Sequence, residues 1–180
     1  VADLFGFHAL QVGLPELDAL RANRMPHRWV GCESVEPPPS EGEPMPRAAV
    51  ALNLDFDALP FDSASLDLVV LPHTLEMARD PHQTLREVER VLVPEGRVVI
   101  VGFNPASLWG LRQGLGRARL GLGLGRQRPL FLPATGEFLG YRRLRDWLRL
   151  LSFEVESGRF GCYRPPVASE RWLQRYEWMD

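Results

Sequence analysis

The 180-residue chain is 45% hydrophobic, which is enough apolar material for one globular domain with a packed core. Its formal net charge is −2. No apolar run approaches the length of a membrane span, and no charged segment followed by a short apolar one opens the chain, so we expect a soluble cytoplasmic protein. Cys32 and Cys162 are too few and too far apart for a disulfide framework or a metal site, and both are expected to be buried free thiols.

Two strands are predicted at the start of the chain. His8–Gly13 predicts the first, and Leu14–Leu17 after it predicts a short helix, because Pro15 suits a first helical position. Arg28–Ser34 predicts the second strand, with Glu33 near its end. Glu33 follows Gly13 by 20 residues, a separation typical of dinucleotide-type sites in which one carboxylate accepts bonds from both ribose hydroxyls. A solvated acid and an ordinary turn glycine are the alternatives.

A proline-rich segment and a third strand follow. Ser34–Pro46 contains five prolines, which prevent a helix, so an extended loop is predicted. This loop either rims a pocket or lies in solvent, and we favour solvent. Ala48–Asn53 predicts the third strand, and two acids, Asp55 and Asp57, come directly after it.

The central segment predicts a strand, a helix and a second strand. Leu66–Leu71 is almost entirely apolar, as in a strand buried on both faces of a parallel sheet. Asp80 and Pro81 predict the start of a helix whose apolar stripe consists of Leu85, Val88 and Leu92. Pro94-Glu95-Gly96 predicts its end, and Arg97–Phe103 predicts the next strand. A right-handed crossover between parallel strands makes this unit half of a doubly wound sheet.

The last third of the chain is basic. Residues 101–180 contain 13 Arg and 7 acidic residues, whereas residues 1–100 contain 8 Arg and 16 acidic residues. Ala106–Leu115 predicts a short helix, and Gly114–Pro129 mixes glycine with arginine. We favour a lid over a substrate pocket for this segment; binding of nucleic acid or an anionic membrane surface is the alternative.

Three more elements are predicted towards the end of the chain. Tyr141–Leu151 has the period of an amphipathic helix with its arginines in solvent, and Phe153–Phe160 alternates as a half-exposed strand. Ser169–Asp180 predicts a helix.

About fifty consecutive residues carry a family pattern. An acid, Asp55, precedes Leu59-Pro60-Phe61; His73-Thr74-Leu75-Glu76 follows the fourth strand; and Asp80-Pro81 leads to Gly96 with the spacing intact. The segment resembles the centre of class I S-adenosylmethionine-dependent methyltransferases of the type 11 subgroup. The resemblance implies a Rossmann-like doubly wound, mostly parallel sheet flanked by helices. We expect a single domain over residues 1–180 with a lid-like insertion at about 106–135. The family's final antiparallel strand is either missing here or replaced by a different end of the sheet.

The resemblance also implies a cofactor, S-adenosylmethionine, and places its contacts. An acid after the third strand accepts the adenine amino group and the next backbone amide meets a ring nitrogen, which maps onto Asp55 and Phe56. The family's first motif is acidic and glycine-rich, whereas here Gln11 stands at the acid and Pro15 and Glu16 replace glycines. The expected cofactor-binding residues are Gln11, Gly13, Glu33, Asp55, Phe56, Leu71 and Pro72.

The methyl acceptor is expected to enter over His73, Asn104 and Trp109. His73 is the candidate general base, because it follows the fourth strand and titrates near neutral pH; packing or helix capping is its alternative role. We expect a small-molecule acceptor, since no series of stacking aromatics along a basic groove marks a nucleic-acid reader. No metal is expected. A methyltransferase-like module that has lost catalysis is the alternative function, while the glycine turn and the Asp57–Phe61 segment disfavour a nicotinamide-dependent oxidoreductase.

Overall fold

The computed structural model describes residues 1–33, 52–107, 110, 112, 114–115 and 138–161. The chain divides into two units, Val1–Gly102 and Phe103–Asp180. The first contains the whole of the described sheet.

Five parallel strands form this sheet in the order β3-β2-β1-β4-β5. Their bounds are β1 His8–Val12, β2 His27–Cys32, β3 Leu52–Asn53, β4 Leu66–Pro72 and β5 Leu92–Val101. The predicted doubly wound parallel sheet is therefore confirmed. The third strand is described only for its last two residues, because positions 48–51 of the predicted strand lie outside the described residues.

Strand β4 lies between β1 and β5, with Leu68, Val69 and Leu71 fully buried. Its one charged residue, Asp67, accepts hydrogen bonds at 2.9 Å from the backbone amides of Phe7 and His8. The carboxylate thereby satisfies two backbone groups where the chain enters β1.

Two short helices follow β4: α1, Thr74–Met77, and α2, Pro81–Val91. Asp80 caps α2 as predicted, accepting from the amides of His82 and Gln83 at 3.0 and 3.2 Å. The predicted stripe is right for Leu85 and Val88, which are fully buried, but wrong for Leu92. That residue already pairs with Leu66 as the first residue of β5, because the backbone becomes extended at this position.

The short helix predicted at Leu14–Leu17 does not form; this part of the chain makes turns instead. Leu14 has a φ of 44°, in the left-handed region. The buried side chain of Gln11 bonds the carbonyls of Leu14 and Leu17, which a regular helix would direct along its axis. Beyond these turns Leu20 and Met25 pack on the sheet against Ala9, Leu68 and Val70.

The second unit contains the predicted amphipathic helix, here α3, Tyr141–Leu150. Leu148 is its buried residue, and the guanidinium of Arg143 lies 4.8 Å from the centre of the Trp147 ring. The strand predicted at Phe153–Phe160 is wrong: the segment has no regular structure and is largely exposed. Alternation alone does not make a strand, because a strand also needs a neighbour for its backbone bonds.

Several predicted features lie outside the described residues. They are the proline-rich loop 34–46, most of the glycine- and arginine-rich segment 114–129, Trp109, Cys162 and the helix at 169–180. Among the helices that are described, none has the length and apolarity needed to cross a membrane.

Candidate functional site

The carboxyl ends of β1 and β4 are the natural place for a ligand in this sheet. The two strands are neighbours, but the chain leaves β1 towards β2 and leaves β4 towards β5. Ligands of open α/β sheets bind where successive connections diverge in this way.

Gly13 forms the turn at the end of β1. Its φ is +82°, and its amide donates to the carbonyl of Gly31 at 2.7 Å. A Cβ at this position would lie 3.3 Å from Thr74 Oγ1 and 3.6 Å from the ring of Phe56. Both backbone conformation and space therefore favour glycine at this turn, and a contact of Gly13 with a cofactor stays a prediction.

Gln11 is fully buried beneath this turn. Its Nε2 donates to the carbonyls of Gly13, Leu14 and Leu17 at 3.2, 2.9 and 2.6 Å, and its Oε1 accepts from the amide of Ala19 at 2.9 Å. The glutamine amide supplies both the donors and the acceptor that these bonds need, whereas a carboxylate would face three carbonyl oxygens. Gln11 was predicted as a cofactor contact, whereas its described hydrogen bonds all hold the turn.

Thr74 is a site residue that sequence reasoning missed. It is fully buried at the start of α1, and its hydroxyl donates to the carbonyl of Val12. The amide of the preceding residue, His73, donates to the Val101 carbonyl at 2.8 Å. The end of β4 is thereby fixed to the ends of β1 and β5. The available signal was a hydroxyl residue directly after a buried strand at the divergence point.

Glu33 and Asp55 follow the ends of neighbouring strands. Cys32 pairs with Asn53 in the β2–β3 ladder, and each acid comes one or two residues later. Both side chains are exposed. The two predicted acids therefore lie at the same edge of the sheet, one beyond each of two adjacent strands.

The structure distinguishes Asp55 from its competitor Asp57. Asp57 accepts from the hydroxyl of Thr84 on α2 at 3.1 Å, which makes it a brace between the loop and the helix. Asp55 accepts from the amide of Asp57 at 2.9 Å through one oxygen, Oδ1. Phe56 between them has a buried side chain, and no described residue accepts a hydrogen bond from its backbone amide.

Cys32 is a buried free thiol, as predicted. Burial raises the pKa of this thiol, and the nearby carboxylate of Glu16 raises it further. The thiol form therefore dominates at neutral pH, which agrees with a packing role.

His73 lies next to the carboxylate of Glu76 at this edge of the sheet. Its Nδ1 lies 2.7 Å from Oε2 of Glu76, one helical turn later, and its backbone is left-handed with φ 56°. Because a carboxylate only accepts, Nδ1 carries the proton in the neutral ring and Nε2 carries the lone pair. Glu76 thus holds the ring in the tautomer that a neutral general base requires.

The remaining predicted residues fall into three groups. Leu71 and Pro72 are buried at the end of β4, where Pro72 pairs with Val101. Asn104 belongs to the second unit, where its side chain accepts from the amide of Ala106 at 3.0 Å and caps a turn. Trp109 lies outside the described residues.

Two cavities lie at the opposite edge of the sheet. One, of about 270 Å³, is lined by His8, Trp29, Phe61 and neighbours, and the other, of about 200 Å³, lies near Asp67 and Arg97. Neither contains a predicted site residue. We place the candidate site at the carboxyl edge, because the strand connections diverge there and Glu33 and Asp55 lie there. The size of a cavity alone does not indicate a ligand. Within the described ranges no His, Cys, Asp and Glu cluster could hold a metal ion.

Comparison with known proteins gives matches in sequence and in structure. Residues 39–100 match the methyltransferase domain family. The uncharacterized protein YafS of Escherichia coli is 32% identical over 152 residues, 84% of this chain and 55% of YafS. The chain spans about half the length of the curated relatives it matches.

Two solved structures share the fold. A SAM-dependent methyltransferase from Thermotoga maritima has a TM-score of 0.59 at 18% identity, covering 85% of this chain and 67% of that one. The YcgJ protein of Bacillus subtilis has a TM-score of 0.63 at 14% identity, covering 97% and 73%.

Proposed function

We propose that this chain, which has the class I methyltransferase fold and matches the methyltransferase domain family over residues 39–100, transfers a methyl group to a small-molecule acceptor. The cofactor that this family implies is S-adenosylmethionine. The observation that carries the proposal is the pair of exposed acids, Glu33 and Asp55, beyond the ends of adjacent strands beside the Gly13 turn.

The described residues fit the nucleoside part of this cofactor. Glu33 offers a carboxylate that can accept from both ribose hydroxyls. Asp55 keeps one carboxylate oxygen that no described residue bonds, and the Phe56 amide beside it is a donor, which together match the amino group and ring nitrogen of adenine. The Gly13 turn ends β1 at the same edge of the sheet.

When bound, the cofactor supplies a methyl group on a sulfonium, which is already an activated electrophile. The chain then has only to bind, orient and exclude water, so a large acid–base apparatus is not required. His73 is proposed to take the proton from an oxygen or nitrogen acceptor through Nε2, with Glu76 holding the ring by Nδ1. His73→Gln is accordingly expected to lower turnover while leaving cofactor affinity unchanged.

Calorimetric titration with S-adenosylhomocysteine tests the cofactor part of this proposal. Binding is expected, and Glu33→Gln is expected to weaken it by about tenfold or more, because hydrogen bonds to a charged group are worth about 1.5 to 3 kcal/mol. Glu89→Gln, an exposed acid on α2, is the matched control and should change nothing. Absence of binding to the unmodified chain would refute the proposal.

The acceptor class needs a separate experiment. The chain is incubated with methyl-labelled cofactor and a cell extract divided by ultrafiltration. Label is expected in the small-molecule fraction, whereas label confined to the protein or RNA fraction would contradict a small-molecule acceptor.

A non-catalytic binding module is the second candidate. It is favoured by one observation, the replacement of a helix after β1 by turns organised around Gln11. Such a module would transfer no label to either fraction, and failure of the chain to bind S-adenosylhomocysteine would favour it.

A further inference from the structure

We infer that this site recognises its cofactor by the nucleoside end and not by the amino-acid end, so that adenine nucleoside thioethers with and without an amino-acid tail bind alike. This inference rests on the proposed function, since it concerns the same edge of the sheet. Its basis is that hydrogen bonds within the protein already engage the polar groups of the turn after β1.

The sheet order determines where the tail must lie. Asp55 follows β3 and Glu33 follows β2, and β1 comes next in the order, before β4. A nucleoside with its adenine at the first acid and its ribose at the second directs its 5′ substituent towards the end of β1. The ammonium group of an amino-acid tail would therefore meet the turn at Gly13.

An ammonium group has three donors and no acceptor, so it needs carbonyl or carboxylate oxygens. At this turn the carbonyl of Val12 accepts from Thr74, and the carbonyls of Gly13, Leu14 and Leu17 all accept from Gln11. The side chain at position 11 is itself an amide with no charge. The carbonyls of Leu14 and Leu17 each accept a second bond, from the amides of Leu17 and Ala19, so both lone pairs of each are used within the turn. The carbonyls of Val12 and Gly13 are already bonded, so an ammonium group would have to share them.

Two carboxylates near this end do not replace them. Glu76 is buried and lies 2.7 Å from the ring of His73. Glu16 lies close enough to influence Cys32, but its side chain is exposed, where an ion pair is worth little because water screens it. The space beside Gly13 is also occupied, since Thr74, Phe56 and Met77 all have atoms within 4 Å of where its Cβ would lie.

Calorimetry on the full chain with two ligands tests the inference. S-adenosylhomocysteine and 5′-methylthioadenosine share the nucleoside thioether and differ in the amino-acid tail. We expect dissociation constants within about tenfold of each other, because a fixed ion pair to the tail would add more than that. Glu33→Gln should weaken both ligands by the same factor.

A preference for S-adenosylhomocysteine of more than about tenfold would overturn the inference and leave the proposed function intact. Binding of neither ligand would overturn both.

Gln11→Glu provides a second arm. It introduces the acid that the family pattern has at this position, but the new carboxylate would face three carbonyls. We expect a lower melting temperature and no gain in the preference for the ligand with the tail. A stable variant that prefers S-adenosylhomocysteine over 5′-methylthioadenosine would overturn the explanation by occupied carbonyls, because it would show that the missing charge at position 11 is what removes recognition of the tail. Where this variant fails to fold, the ligand ratio of the unmodified chain still decides.

Discussion

Two parts of one sheet edge use their polar groups in opposite ways. Beyond β2 and β3 the side chains of Glu33 and Asp55 are exposed. No described residue accepts a hydrogen bond from the backbone amide of Phe56, which follows Asp55. Beyond β1 the carbonyls of the turn bond the side chains of Gln11 and Thr74. The polar groups of the second region hold the turn together, whereas those of the first remain exposed. On this difference we propose recognition at the β2 and β3 ends and structural support at the β1 end.

Removing the amide of Gln11 should have the largest effect on stability. Gln11→Ala removes four hydrogen bonds from the turn and leaves a cavity where a fully buried side chain stood. The Gly13 carbonyl loses the one partner described for it, whereas Leu14, Leu17 and Ala19 keep their backbone bonds, and an unsatisfied buried polar group costs about 1 to 3 kcal/mol. We expect a loss of about 3 kcal/mol in the free energy of unfolding, measured with urea. Gln83→Ala on α2 is the control, since that side chain makes a single 3.5 Å contact with Arg86. Equal stabilities of the two variants would contradict a supporting role for Gln11.

An alanine at Gly13 should have a smaller effect. Its Cβ must adopt a left-handed backbone and lie 3.3 Å from Thr74 Oγ1, so we expect a loss of about 1 to 2 kcal/mol. Gly114→Ala is the matched control, because a Cβ there meets nothing within 4 Å and the residue is helical. Urea unfolding of both variants gives the comparison, and a neutral Gly13→Ala would show that the turn is not constrained.

These two positions show what sequence could and could not predict. The strands and the helix of the central segment follow from apolar runs, a cap at Asp80 and a period of 3.6, which are local signals. The turn at Leu14–Leu17 was predicted as a helix because Pro15 is a local signal as well. In the structure the Gln11 side chain stabilises turns instead of a helix, through hydrogen bonds to residues up to eight positions away. No local sequence pattern encodes such bonds.

The site shows the same limit. The order of acids along the chain, together with the family pattern, predicts Glu33 and Asp55 beyond the ends of neighbouring strands, and the structure places both there. Their contacts with a cofactor stay a prediction. The role of Thr74 depends on β1 and β4 being neighbours in the sheet. Thr74 and its partner Val12 are 62 residues apart in the sequence. The strand predicted at Phe153–Phe160 was wrong for the related reason that its partner is not specified by its own alternation.

The smallest effect is expected on the recognition side, at the base of the loop after β3. Glu87 accepts from the amide of Leu59 and bonds Arg90, which in turn donates to the carbonyls of Leu59 and Phe61. The bond from Arg90 lowers the pKa of Glu87 below its ordinary value of 4.5. A carboxylate with a lowered folded-state pKa stabilises the fold above its ordinary pKa, and this stabilisation is lost as pH falls through the lowered value.

Glu87→Gln should therefore make stability less dependent on pH below about 4.5, the ordinary value for this group. Urea unfolding at a series of acidic pH values measures this, with Glu89→Gln as the control on the exposed face of the same helix. An unchanged pH profile would show that the loop does not depend on the pair.

Nuclear magnetic resonance titration of the backbone amides with S-adenosylhomocysteine tests the central claim most directly. The account predicts the largest shifts at Glu33, Asp55 and Phe56, with saturation at the calorimetric affinity. Shifts concentrated at Trp29, Phe61 and Ser65, which line the cavity at the amino edge, would contradict it.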